Sequence, residues 1–246
     1  MRARVPTAVI PLATDDGARA CVSAPGGGPT LLERAMDEAH RAGAERIVLV
    51  TADGAMPCVR APFGPEIACV AQETPTGLGD ALRAASPALL PGLVAVILPD
   101  DLIVGDPCLP RMLDAYSRLG TGHMVAAAGP VDPARHAVLD PLSTIGMGPV
   151  IRTVGIVEKP QAGDAPSQLG VMGRYILHPR VMQDLAAIPA SRPRARHLTD
   201  AIAAGIPKVG LCGFLLEERR YDCGTHAGLA AAERALAPLP EAVPAE

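Results

Sequence analysis

The sequence predicts an α/β fold, a mostly parallel mixed sheet flanked by helices, and three observations predict it. Short aliphatic runs alternate with stretches of helical periodicity, the pattern of parallel strands joined by crossover helices. Hydrophobic residues make up 49% of the chain but aromatics only 2%, with no Trp. The core must therefore be built from Val, Ile, Leu, Ala and Met, which suits α/β layers better than an aromatic-rich sandwich. At 246 residues the chain can bury a substantial core. No repeat or linker divides it, so a single domain over residues 1–237 with a frayed tail at 238–246 is expected.

The elements follow in order. Ala8 to Leu12 reads as the first strand, and after a Gly/Pro-rich loop Pro29 and Thr30 open a helix. Its Leu31, Leu32, Ala35, Met36 and Ala39 form one apolar stripe, and Gly43 ends it. Ile47 to Val50 is the second strand, and a proline-studded link from Pro57 to Pro65 leads to a third at Ile67 to Val70. A helix from about Asp80 precedes the strand Val94 to Leu98, then come a helix from Leu109 to Leu119 and a strand from Met124 to Ala128. Beyond Pro130 the connections shorten, and strands at Val150 to Val157 and Val171 to Leu177 suggest a mixed sheet extension over the ligand face. Helices near Val181 and Leu198, a strand from Val209 to Leu215 and a helix from Thr225 to Ala237 complete the pattern.

Charge narrows the function. A net charge of −4 argues against a general nucleic-acid binder, which would show a basic stripe. Nothing approaches the ~18 uninterrupted apolar residues of a membrane span. Met1-Arg2-Ala3-Arg4 is followed by apolar residues, but Pro6, Pro11 and Asp15-Asp16 break any signal-peptide pattern, and a cytoplasmic protein is expected. The six cysteines, Cys21, Cys58, Cys69, Cys108, Cys212 and Cys223, show no metal spacing and read as buried reduced thiols. The chain holds only two lysines, Lys159 and Lys208, against twenty arginines. Lys159 follows an apolar strand in Val154-Gly155-Ile156-Val157-Glu158-Lys159-Pro160, where a compact ammonium suits a phosphate; the alternative is a solvent-facing residue.

Open α/β sheets hold ligands at the C-terminal ends of their strands. Asp100 of Leu98-Pro99-Asp100-Asp101 falls at such an end and can serve Mg²⁺, which takes oxygen ligands; the alternative is a turn residue. Asp222, in Tyr221-Asp222-Cys223-Gly224, offers a second carboxylate or a helix cap. Gln72 to Asp80 joins a strand to a helix, and Gly77 and Gly79 there let the backbone approach a flat ligand such as a base. His136 reads as a surface residue.

Taken in order, these segments resemble the bacterial UTP–glucose-1-phosphate uridylyltransferases of the sugar-nucleotide pyrophosphorylase superfamily. Further carriers are Ala165-Pro166-Ser167, Val171-Met172-Gly173-Arg174-Tyr175-Ile176-Leu177 and Leu198-Thr199-Asp200-Ala201-Ile202. The resemblance implies a Rossmann-like nucleotidyltransferase fold, Mg²⁺ held by Asp100 and Asp222, sugar hydroxyls on Glu158, the sugar phosphate on Lys159 and a close approach of the sugar to Gly173. Gln72 and Gly77 match positions that read uracil. The implied reaction is attack of glucose 1-phosphate on the α-phosphorus of UTP, giving UDP-glucose and pyrophosphate. A homo-oligomer is left open.

The chain departs from the family at its front. Ala13-Thr14-Asp15-Asp16-Gly17-Ala18-Arg19 stands where the family has a G-x-G-T-R loop, so Gly17 and Arg19 match the later part of the motif, but the first glycine is gone and Asp15 and Asp16 stand where triphosphate oxygens are expected. No lysine follows. Two readings stay open: a uridylyltransferase working with Mg²⁺, Arg19 and Lys159, and a non-catalytic paralogue that binds a sugar phosphate or nucleotide sugar as a partner subunit. A sugar nucleotidyltransferase of another base preference is the third.

Overall fold

The computed structural model of the chain describes residues 3–13, 28–59, 64–72, 77–120, 122–142, 148–161, 163–189 and 198–236. Arg19, Asp15, Asp16, Cys21 and the expected tail lie outside these residues. In chain order the elements are β1 (Thr7–Pro11), α1 (Leu31–Arg41), β2 (Arg46–Thr51), β3 (Glu66–Ala71), α2 (Leu78–Ala85) and β4 (Val94–Ile97). Then follow β5 (Asp101–Val104), α3 (Cys108–Leu119), β6 (His123–Ala128), β7 (Ala137–Pro141), β8 (Val150–Glu158) and β9 (Gly170–Leu177). The chain closes with α4 (Val181–Ala187), α5 (Leu198–Val209), β10 (Leu211–Leu215), β11 (Arg219–Asp222) and α6 (His226–Leu236). Among the described residues nine strands form one sheet in the order β3-β2-β1-β4-β9-β6-β10-β8-β7, and β5 pairs with β11 in a separate two-stranded ribbon.

The expected fold class holds. β3, β2, β1 and β4 run parallel, as do β6 and β10, while β9 is antiparallel to both β4 and β6. Residue alternation explains the two covered faces. Ala8, Ile10, Ile47 and Leu49 enter one core with α1 and α3, where Met36, Leu109 and Met112 are fully buried. Val9, Val48, Val50 and Val96 point the other way, into a core with α2, α4 and α5. At the start of α1, Thr30 Oγ1 accepts from Glu33 N at 3.0 Å and Glu33 Oε2 accepts from Thr30 N at 2.7 Å, a reciprocal capping box.

Three expectations need correction. The strand Gly170–Leu177 is no extension over the ligand face; it lies mid-sheet between β4 and β6 because nearly every residue of it is buried, which only a central position satisfies. The helix from Leu198 runs through Val209, and Gly210, at φ +85°, breaks it before β10. Cys58 is exposed and Cys69 and Cys212 are half-buried; among the described cysteines only Cys108 and Cys223 sit in the core. No helix among the described residues is long and apolar enough to cross a membrane.

One buried polar group makes folding pH-dependent. His123 opens β6 with no exposed surface, and its Nδ1 accepts from the His178 amide at 3.3 Å, fixing a neutral ring. Burial, then His178, against an opposing pull from Asp184, lowers its pKa from 6.5 to about 4. The unfolded ring takes a proton near pH 6.5 and the folded one only near 4, so the unfolded state holds more protons in that window and stability falls as pH drops through it. Urea unfolding at pH 7 and 4.5 is expected to show a loss of about 2–3 kcal/mol from this residue, reduced in His123→Asn. An identical pH slope in wild type and variant would refute the assignment.

Candidate active site

β4 ends in the turn Leu98-Pro99-Asp100-Asp101, and the chain folds back immediately as β5. β5 pairs with β11 so that Asp101 faces Asp222, and the Cys223 amide donates to the Asp100 carbonyl at 2.7 Å. Two carboxylate positions 122 residues apart are thereby held on neighbouring backbone, at the C-terminal end of the parallel strands. β8 ends beside them and delivers Glu158 and Lys159. Thr199 Oγ1, from the first turn of α5, donates to Glu158 Oε2 at 2.6 Å. Lys159 adopts φ +43°, the one non-glycine residue with positive φ among the described residues, and its amide donates to the His136 carbonyl at 3.2 Å. A lysine gains nothing conformationally from that region, so the backbone there is strained and is held in place by its surroundings.

These elements enclose a cavity of about 420 Å³ lined by Asp100, Glu158, Lys159, Gly173 and Asp222 together. Gly173 is dictated by packing: a Cβ there would lie 2.7 Å from the Leu98 Cβ and 2.8 Å from the Asp101 Cβ. Its amide donates to Asp101 Oδ2 at 2.6 Å. Gln72, Gly77 and Gly79 are not among the lining residues. Gln72 is buried and its Nε2 donates to the Gly77 carbonyl at 3.3 Å, Gly77 takes φ +129° as the residue before α2, and Gly79 packs inside the first turn. Only Leu78, between the two glycines, reaches the cavity.

The lining also holds His136, Arg135 and Arg220, none of them expected at a site. His136, expected at the surface, is half-buried on the wall, with its Nδ1 3.0 Å from the Asp132 carbonyl and its Nε2 3.5 Å from Arg220. Arg220 also donates from Nε to Asp101 Oδ1, and Arg135 Nη2 lies 3.4 Å from Asp222 Oδ2. Burial, then Glu158, Asp101 and Asp100, raise the Tyr175 phenol above its ordinary range, so it stays a neutral hydrogen-bond donor. Among the described residues, four carboxylates, two guanidiniums and one ammonium thus share the space.

Beneath the floor lies Arg174, 4% exposed. Its Nε donates to Glu38 Oε2 of α1 at 2.9 Å, and one Nη donates to the carbonyls of Leu98 at 2.9 Å and Asp101 at 3.0 Å. Those two carbonyls bracket Asp100. Burial alone would lower the Arg174 pKa, but Glu38 and then Asp101 outweigh it and hold it raised. The sequence holds only half of this clamp: Glu38 sits beside the apolar stripe of α1, where a buried carboxylate requires a partner, but nothing local names Arg174 as that partner.

A family model described as nucleotidyl transferase matches residues 11–238. A curated UTP–glucose-1-phosphate uridylyltransferase from Staphylococcus epidermidis is 34% identical over 163 residues, which is 65% of this chain and 55% of that protein. The chain thus spans about half the length of the curated relatives it matches. A solved UTP-bound UGPase from Acinetobacter baumannii is 26% identical with a TM-score of 0.80, covering 94% of this chain and 93% of that one. A solved UDP-glucose pyrophosphorylase complexed with UDP-glucose, at 22% identity, shares the fold with a TM-score of 0.79 over 94% of this chain and 98% of that one.

Proposed function

Because the chain belongs to the nucleotidyl transferase family, we propose that it transfers a uridylyl group from UTP to glucose 1-phosphate, giving UDP-glucose and pyrophosphate. One observation carries this reading: Asp100, Glu158, Lys159, Gly173 and Asp222, far apart in sequence, line a single cavity. The relatives named as uridylyltransferases and the UTP-bound neighbour support the choice of substrates.

The donor set suits a divalent metal. Asp100 and Asp222 offer hard carboxylate oxygens from adjacent backbone, and Mg²⁺ commonly takes one or two carboxylates and completes its shell with water and substrate phosphate. Bound there, the ion would neutralise charge developing on the phosphate oxygens. The rest of the work belongs to the chain. Glu158, oriented by Thr199, accepts from sugar hydroxyls; Lys159 neutralises the sugar phosphate and aligns its oxygen for in-line attack; Tyr175 donates without ionising. The chemistry needs alignment and positive charge and little covalent participation.

Purified protein with UTP, glucose 1-phosphate and Mg²⁺ is expected to release pyrophosphate. UDP-glucose should bind saturably in calorimetry, about tenfold or more weaker in Glu158→Ala or Lys159→Ala, the scale of losing one charge-assisted hydrogen bond. No binding at millimolar ligand would count against the whole reading. Binding without turnover would instead make the chain a nucleotide-sugar-binding partner. That second reading is favoured by the lysine supply: Lys208, the only lysine besides Lys159, is tied to Asp184 at 2.7 Å.

A further inference from the structure

The cavity cations are not equivalent. Arg220 is committed to Asp101, whose side chain is only 7% exposed and whose second oxygen holds the Gly173 amide. Arg135 is held differently. It closes the turn that begins at Asp132, its side chain is 60% exposed, and one long approach of 3.4 Å joins it to Asp222 Oδ2. Asp222 is one of the two carboxylates that suit the metal, so the guanidinium stands against a carboxylate that a divalent cation would share.

From this geometry we infer that Arg135 is a displaceable cation, which rests on Asp222 when the cavity is empty of metal and passes to a phosphate oxygen of the nucleotide when metal binds. The inference rests on the metal pair and the transfer reaction proposed above. An exposed ion pair at this separation contributes little and is readily exchanged. A divalent ion on Asp222 satisfies the carboxylate and repels the neighbouring guanidinium. The released group, anchored at the cavity wall, then meets the strongest remaining anion, the phosphate chain, whose oxygens match its planar donor fork. Arg135 would in this way supply part of the positive charge that the lysine-poor front of the chain lacks.

The consequence is an unusual opposition of effects. Removing Arg135 removes a competitor from the metal site and a ligand from the nucleotide site. With Mn²⁺ alone as the probe, read by electron paramagnetic resonance without nucleotide, Arg135→Ala is expected to bind the ion about two- to fivefold more tightly than wild type. With UTP and Mg²⁺, the same variant is expected to bind nucleotide about tenfold or more weakly, and Arg135→Lys to recover part of both changes. A role in folding alone would not move the two affinities in opposite directions. Unchanged or weaker Mn²⁺ binding in Arg135→Ala would overturn the displacement, and unchanged UTP affinity would overturn the phosphate role. Should wild type fail to bind Mn²⁺ at all, or Asp222→Asn bind it as wild type does, the metal pair itself falls, which is a failure of the earlier reading and distinguishable from these.

Discussion

Arg174→Ala is expected to lower the free energy of unfolding by about 3–5 kcal/mol, the scale of breaking a buried ion pair by removing one partner. The cost has identifiable parts. Glu38 is 8% exposed and would keep only the Leu109 amide, 2.8 Å from its Oε1. The carbonyls of Leu98 and Asp101 would lose a donor, and a void would open between α1 and β9. Urea denaturation at pH 7 gives the number directly. The double variant Arg174→Met with Glu38→Leu is expected to be more stable than Arg174→Ala, because it removes both charges and refills the volume. If Arg174→Ala costs under 1 kcal/mol, the clamp does not hold the turn that carries Asp100.

That clamp shows where sequence reading stops. Arg174 was visible only as part of a segment carrying a family resemblance, and Glu38 as one acid on an amphipathic helix. Their contact spans 136 residues, and periodicity reports which face a residue takes, not which partner it meets there. The same limit explains the strand order. The aliphatic runs of β1, β2, β4 and β9 were legible as strands, but insertion of β9 between β4 and β6 depends on pairings that no local pattern encodes. β5 and β11 were not assigned as strands because each is only four residues long and shows no clear alternation, yet their pairing is what brings Asp222 beside Asp100. Glu158 and Gly173 entered only through the family resemblance, whereas Asp100, Lys159 and Asp222 were readable because each stands at or just beyond a strand end, where residue type is constrained by more than packing. Arg135 and Arg220 were not, since twenty arginines give no reason to single out two.

Asp100→Asn and Asp222→Asn are each expected to reduce pyrophosphate release by about 10²–10³ or more, the scale of losing one preorganised electrostatic group. Both changes keep side-chain volume, and the amide of Cys223 still finds the Asp100 carbonyl, so the folded state should survive them. The informative measurement is the double variant. If the two carboxylates work as one metal-holding unit, the first substitution already disables it, and Asp100→Asn with Asp222→Asn should be scarcely slower than the worse single variant. If the losses multiply, the two groups act independently, one on metal and the other on substrate, and the shared site is wrong. Raising Mg²⁺ separates the outcomes further. A weakened two-carboxylate site is expected to regain part of its rate at tens of millimolar metal by mass action, whereas a carboxylate that merely orients substrate would give no such recovery.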